Sequence, residues 1–288
     1  MMMEKFTIER GEWGDRVVVH GEWSADIAEQ MKRRDIRELY LNHALGFRGK
    51  NLSFLSTLPN LEWLKVLDWN LEDDSAINTL HALRSLDVST NCKTEINFSR
   101  FPRLEICGLE WRTKAKSLFT CSTLRKLSLD RYPGRTAADI ARLTKLESLD
   151  ILNVPLESVE ELSVLPKLTH LGLYNLRKLF SLRGIERLVS LKELEINGCW
   201  AIRSIEEVQH LKSLQKLQLC DNRTIESLTP LTSLSQLTSV LFYGSTNVRD
   251  GDLSVLTALP RIREVAFQDR KHYSKKLVDI ETLLSIVT

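Results

Sequence analysis

One phrase, Leu-x-x-Leu-x-Leu, recurs along the middle of this chain and dictates most of what it can fold into. It appears as Leu146-Glu-Ser-Leu149-Asp-Ile151 and again from Leu168, Leu191 and Leu214, with starts 22, 23 and 23 residues apart. The last two apolar residues of each phrase are two apart, so they point to one side of an extended segment while the residues between them face the other way. Each unit therefore supplies one short strand. After the strand the apolar residues change step, as in Leu179, Leu182, Ile185 and Leu188, then Ile202, Ile205, Val208 and Leu211, then Ile225, Leu228, Leu231 and Leu234. A spacing of three matches a 3₁₀ turn better than a long α-helix. One such unit cannot cover its own apolar edge, but stacked units can.

A fixed period between 20 and 29 residues opened by Leu-x-x-Leu-x-Leu resembles the leucine-rich repeat family, and the 22-residue arcs look most like its short, phosphatase-regulator-like subclass. The fold class expected is α/β: a curved solenoid with a parallel sheet on the concave face and 3₁₀ turns, short helices and irregular arcs on the convex face. From Ile36 eleven units can be counted, starting at Ile36, Leu61, Leu83, Leu104, Leu124, Leu146, Leu168, Leu191, Leu214, Leu237 and Ile262. The family places Asn or Cys eight residues after each first leucine. Only Asn91, Cys199 and Asn222 fit here, which predicts an irregular ladder of turn hydrogen bonds.

Three segments are expected. Residues 1–35 do not repeat and read as an N-terminal cap: strands at Phe6-Thr-Ile8 and Val17-Val-Val-His20 around Gly11 to Gly14, then a helix after Ser24 as N-cap. Residues 36–274 hold the repeats. Residues 275–288, with Leu277, Ile280, Leu283 and Leu284 apolar, read as a C-terminal capping helix. The outer arcs from Cys92 to Arg103 and from Arg112 to Thr123 lack the three-step and are expected to be irregular. Short helices are expected after Thr136 and around Asp250 to Leu256.

Composition narrows the function classes. A net charge of +2 gives no reason to invoke a polyanion, and the first ten residues, MMMEKFTIER, place charges where a signal peptide needs an apolar run. No stretch reaches the roughly 18 apolar residues of a membrane span. Five cysteines without a Cys-x-x-Cys pair fit neither a disulfide framework nor a zinc site, and read as small structural residues in a reducing compartment. The expectation is a cytoplasmic chain, a monomer, with no cofactor, no metal, no nucleic acid and no membrane. The histidines fall in different units without a nucleophile and orienting acid at recognisable spacing, so no catalytic residue is assigned.

Where a solenoid binds is implied by the family resemblance: the outward strand positions of the concave wall. Taking the third, fifth, seventh and eighth residue of every unit, eleven acids (Glu38, Asp68, Asp87, Glu110, Asp130, Asp150, Glu193, Glu195, Asp221, Glu264, Asp269) face four bases (Lys65, Lys126, Arg131, Lys216). That leaves this face at −7 in a chain of +2, so the remainder carries +9. A face of one sign focuses its field on an oppositely charged partner. Tyr40, Trp63, Trp111, Tyr174 and Tyr243 sit among those acids, with Trp69 and Trp200 near the strand ends, and exposed aromatics amid charge are the material of binding hot spots. The partner-binding set expected is Tyr40, Trp63, Asp87, Glu110, Trp111, Asp130, Asp150, His170, Tyr174, Glu195, Asp221 and Tyr243. Two basic stretches, Arg112 to Lys116 and Arg270 to Lys276, read as solvated loops rather than nucleic-acid contacts. The reading is a non-enzymatic module gripping a basic protein, in the manner of an inhibitor or immunity protein. The alternative is a regulatory subunit of a phosphatase or other signalling enzyme. A ligase-type enzyme would need a domain for which few residues remain.

Overall fold

The computed structural model describes residues 5 to 287, with side chains as far as Leu283; residues 1 to 4 of the expected N-terminal cap, and the Leu284 side chain and Thr288 of the expected C-terminal helix, lie outside the described residues. It divides into two compact units, one up to Ser128 and one from Leu129.

In the first unit, β1 (Phe6–Arg10) and β2 (Asp15–Val19) form an antiparallel hairpin with Phe6 opposite Val19. Helix α1 (Ala25–Arg33) follows, burying Ile27 and Met31 and closing on Lys32 and Arg33, charges that suit the carbonyl end of the helix dipole. Ser24 precedes it as expected, yet its hydroxyl makes no capping bond and is buried without a partner. Strands β3 (Glu38–Asn42), β4 (Trp63–Leu67), β5 (Ser85–Ser89) and β6 (Ile106–Glu110) then run parallel to β2. Their register stacks Val17, Leu39, Leu64, Leu86 and Cys107 in one inward row, all buried. β7 (Lys126–Asp130) spans the point in the chain where one unit gives way to the next.

In the second unit the strands are β8 (Ser148–Leu152), β9 (His170–Tyr174), β10 (Glu193–Asn197), β11 (Lys216–Gln218), β12 (Thr224–Ile225), β13 (Ser239–Phe242), β14 (Asn247–Val248) and β15 (Glu264–Phe267). β12 and β14 pair with each other; the others form one parallel sheet whose inward row is Leu149, Leu171, Leu194, Leu217, Val240 and Val265. Burying one such side chain is worth about 1.5–3 kcal/mol, so the repeated leucines are the principal source of stability. The three-step positions turn inward too: Leu179, Leu182, Ile185 and Leu188, and their counterparts in the next two units, are buried around 3₁₀ turns at Ile185–Arg187, Glu206–His210 and Thr229–Ser233. Helix α2 (Ser254–Ala258) lies where the Asp250 to Leu256 pattern placed it, and α3 (Leu277–Val287) buries Ile280 and packs against β15 and α2.

Two local expectations are corrected. The arcs after β5 and β6 do carry apolar filler, because phenylalanines replace the leucines: Phe98, Phe101, Leu118 and Phe119 are buried around 3₁₀ turns at Phe98–Arg100 and Thr113–Thr120, the second broken at Lys114. The helix expected after Thr136 shrinks to a turn at Ile140–Arg142, because the Tyr132 hydroxyl engages the Asp139 carboxylate at its start. Of the ladder residues, Cys199 and Asn222 are buried and linked, the Cys199 N–H donating to Asn222 Oδ1 at 2.8 Å while Asn222 Nδ2 donates to the Ile196 carbonyl. Asn91 is exposed yet also serves the turn before it, its Nδ2 donating to the Trp69 carbonyl at 2.9 Å, and the buried Cys92 beside it donates its thiol to the Leu71 carbonyl at 3.3 Å.

Candidate functional site

In the second unit, strand alternation and parallel register bring together the outward residues of β8, β9, β10 and β11. One row reads Ser148, His170, Glu193, Lys216 and the next reads Asp150, Gly172, Glu195, Gln218. Gly172 is the pivot. A Cβ there would run into the Asp150 carboxylate and the Tyr174 ring, so only a residue without a side chain lets both lie across it. His170 Nε2 stands 2.9 Å from Asp150 Oδ1 and its Nδ1 3.4 Å from Glu193 Oε2, while the Tyr174 hydroxyl donates to Glu195 Oε2 at 2.9 Å. Lys216 Nζ approaches Glu193 Oε1 at 3.0 Å.

The electrostatics follow from those contacts. The Asp150 hydrogen bond, partly opposed by burial, raises the His170 pKa. Burial and then the Glu195 hydrogen bond push the Tyr174 hydroxyl well above the ordinary phenol range, so it acts as a donor and never as a base. Lys216, followed by His170, holds Glu193 below the usual carboxylate range. The cluster thus holds Glu195 by a neutral hydroxyl, Asp150 by a titratable imidazole, and Glu193 by a lysine and that same imidazole. Nothing in it couples a nucleophile to a base. Among the described residues no group of three His, Cys, Asp or Glu side chains is placed to hold a metal ion.

Other expected residues of the second unit flank this cluster in the repeat order. Asp130 accepts from Asn153 Nδ2 at 2.7 Å, and Asp221 accepts the Ser245 N–H at 2.9 Å. Tyr243 is 46% exposed. Trp200 is exposed as well, held between the guanidinium groups of Arg177 and Arg223 at 4.7 and 4.4 Å from its ring centre.

In the first unit the outward face looks different. Trp63, expected to be exposed, is 8% exposed, because the hairpin turn folds over it and Arg16 stacks on its ring at 3.7 Å. Glu38 is buried as the anchor of that turn, accepting from the Glu12 and Trp13 N–H groups at 3.0 and 2.6 Å and from Arg16. Tyr40 packs edge-on against Trp63 and receives Asn42 Nδ2 at 2.8 Å. Asp87 is paired with Lys65 at 2.8 Å, Glu110 accepts Trp69 Nε1 at 3.0 Å, and the Trp111 ring stacks on Phe119 at 5.6 Å.

The two basic stretches expose Lys114, Lys116, Lys271 and Lys276 as solvated loops do, but in each the arginine is drawn inward. Arg112 is 7% exposed and clasps the fully buried Asp74 through Nη1 at 2.9 and 2.7 Å, with Nη2 donating to Thr90 Oγ1 at 2.7 Å. Arg270 Nη2 donates to the Thr246 carbonyl, and Tyr273 packs edge-on against Phe242 and Phe267. The Asp74–Arg112 pair was invisible in the sequence, since it joins residues 38 apart in two irregular arcs. All five cysteines are buried and unpaired, and burial raises every thiol, Cys121 to about 11 and Cys199 to about 12, which makes them inert filler.

No family model matches this chain, and no curated protein matches it in sequence. Solved structures do. The internalin inlF of Listeria monocytogenes is similar with a TM-score of 0.58 and 22% identity, covering 89% of this chain and 83% of that one. The functional domain of InlJ from the same organism gives 0.59 at 17% identity, over 85% of this chain and 56% of its own length. A leucine-rich repeat protein of Leptospira interrogans gives 0.54 at 19%, over 88% and 78%. At such identities the likeness is one of fold, and with the row of leucines, the parallel strands and the 3₁₀ arcs it leads to one statement: this chain has the leucine-rich repeat fold.

Proposed function

We propose that this protein is a non-enzymatic binding module whose acidic strand face in the second unit holds a basic protein partner. The observation that carries this reading is the cluster of Asp150, Glu193 and Glu195 around His170 and Tyr174, three carboxylates oriented by an imidazole and a hydroxyl and met by a single lysine, Lys216, on Glu193. Asp130 and Asp221 extend the acidic surface along the repeats, and exposed Tyr243 adds aromatic area at low entropic cost. The fold supports an interaction role, and the absence of a nucleophile–base pairing in the cluster supports a non-catalytic one.

Within that reading the role we favour is occlusion: an inhibitor or immunity protein that covers a basic toxin or enzyme, working in the cytoplasm, where five unpaired thiols stay reduced. A phosphatase-regulator role has only the repeat length behind it. The test is an affinity pull-down from the source cell with wild type and an Asp150→Lys/Glu195→Lys/Asp221→Lys variant side by side, followed by titration of the recovered protein at low and high salt. A basic protein retained by wild type, lost by the variant and weakened by salt supports the reading. Equal affinity for both baits refutes it.

A further inference from the structure

We infer that the first unit contains a second recognition site, a cleft that takes an arginine side chain from an extended segment of a partner, with Asp68 as its counter-charge. The site lies within the first unit, does not rest on the strand-face reading, and can fail or succeed independently of it.

The argument starts from a carboxylate with too few partners. Asp68 follows the last residue of β4, where its backbone N–H donates to the Ser89 carbonyl at 3.1 Å and fixes the turn. Its side chain is 1% exposed. Oδ1 accepts the Asn70 N–H at 2.9 Å, but Oδ2 is buried with no hydrogen-bond partner. A buried carboxylate oxygen without a donor is costly, and native structures rarely leave one so without a reason. His43 stands over the carboxylate, its Nδ1 3.6 Å from Oδ1 and beyond a hydrogen bond, its half-exposed ring touched by Asn70 Nδ2 at 3.3 Å and Arg48 Nη1 at 3.4 Å, so a ligand reaches Asp68 by displacing these long contacts.

That carboxylate lines a cleft of about 660 Å³. Its other walls include Glu22, Trp23, His43, Phe54 and Glu72. Trp23 and Phe54 are stacked face to face, centroids 4.0 Å apart and planes 9° apart, so each backs the other and an outer ring face is left for a planar group. Two basic residues also border the cleft, and both are engaged: Arg48 donates to the His43 and Phe47 carbonyls at 2.8 and 2.7 Å, and Lys50 pairs with Glu72 at 3.1 Å. With His43 neutral, the three carboxylates Glu22, Asp68 and Glu72 against the cations Arg48 and Lys50 leave the cleft one charge negative, and Asp68 is its buried acid.

The chemistry that fits is a planar cation on an apolar stem. A guanidinium stacks on aromatic rings, is weakly hydrated for a cation, and donates in a fork that a single carboxylate can receive, while the three methylenes behind it cover ring surface. A metal ion would need several convergent ligands, and none are grouped here among the described residues. An ammonium would pair with Asp68 as a point charge without using the platform.

The test is a titration of the ¹⁵N-labelled full chain with acetyl-Gly-Arg-Gly-amide, followed on tryptophan indole resonances, with Trp23→Phe identifying the Trp23 signal. The citrulline peptide, equal in shape and neutral, is the comparison. The expected result is saturable movement of the Trp23 resonance with the arginine peptide at an affinity at least tenfold above the citrulline peptide. Asp68→Asn should lose that tenfold margin, and Phe54→Leu should weaken binding about threefold with a native spectrum. The Asp150→Lys/Glu195→Lys/Asp221→Lys variant should bind the peptide as wild type does. Equal binding of the arginine and citrulline peptides, full affinity in Asp68→Asn, or no saturation at the Trp23 resonance overturns the proposal. If Asp68→Asn does not fold, the citrulline comparison and Phe54→Leu still decide it.

Discussion

The two units present the same strand positions to the outside and differ in how deeply the acids there are engaged by cations. In the first, Glu38 is buried beneath Arg16 and the hairpin turn, and Asp87 is closed by Lys65. In the second, Glu195 and Asp221 are held by a hydroxyl and a backbone N–H, Asp130 by an amide with Arg131 at 3.9 Å, and Asp150 by an imidazole that is neutral once it has titrated, while Glu193 is met by Lys216. A guanidinium or ammonium partner cancels a carboxylate's field, whereas a neutral donor orients the carboxylate and leaves its charge for a ligand. Glu38 and Asp87 of the first unit therefore make structure, whereas Glu195 and Asp221 of the second keep their potential for a ligand. Counting charges along a strand face overstates what the first unit can offer.

If acids of the first unit are structural, removing their bases should cost stability. The largest effect is expected at Arg112→Ala, which strands the fully buried Asp74 and takes a donor from Thr90; breaking a buried pair from one side costs about 3–5 kcal/mol. Arg16→Ala should cost about 2–3 kcal/mol, since it removes two charge-assisted hydrogen bonds from Glu38 and uncovers Trp63. Lys216→Ala, in the second unit, should leave the urea midpoint unchanged, because that ion pair is exposed on both sides. Urea unfolding of the three variants measures this. A Lys216→Ala loss as large as that of Arg16→Ala would erase the contrast between the units.

These two arginines also mark the limit of what could be read in the sequence. The inward rows were legible because a period of two fixes which side of the sheet a residue faces, and a step of three fixes the arc; Leu149, Leu171 and Leu194, or Ile185 and Leu188, needed no further information. What lies over the outward side is not encoded in that period. Trp63 and Tyr40 stand at ordinary outward positions, yet Trp63 is covered because a turn 50 residues earlier places Arg16 on it. Asp68 and Arg112 are buried by loop geometry that no periodicity describes. That Cys92 joins Asn91 in holding the preceding turn, the thiol on Leu71 and the amide on Trp69, is likewise set by an irregular arc. In the second unit the arcs are regular, so Asp150, His170, Tyr174 and Glu195 fall where their spacing placed them.

Binding sharpens the comparison at the next level of effect. Replacing Asp150, Glu195 and Asp221 by Asn, Gln and Asn should lower affinity for the recovered basic partner at least tenfold, about 1.4 kcal/mol or more, mainly through faster dissociation and a shallower salt dependence. Changing Lys65 and Asp87 together to Met and Asn, which leaves the first unit's net charge unaltered, should move affinity less than about twofold. Titration calorimetry at two salt concentrations reads both. Should the first-unit pair matter as much as the second-unit triple, the partner covers both faces and the division of labour fails.

The smallest effect expected is a dependence on pH that runs in opposite directions for folding and for binding. Asp150 raises the His170 pKa above its ordinary value near 6.5, so the folded state holds that proton more tightly than the unfolded chain. The stabilisation is complete below the ordinary imidazole pKa and is lost as pH rises through the raised one. Over the same window His170 gives up a positive charge from the middle of the acidic cluster, so the face becomes more negative and its grip on a basic partner strengthens. Stability should thus fall while affinity rises. His170→Gln, which can still donate to Asp150 but does not titrate, should flatten both curves across that window. Thermal unfolding and calorimetry on wild type and variant at matched ionic strength measure the pair of slopes. If the affinity slope survives in His170→Gln, the titrating group belongs to the partner, and the cluster in the second unit is a fixed rather than a pH-tuned surface.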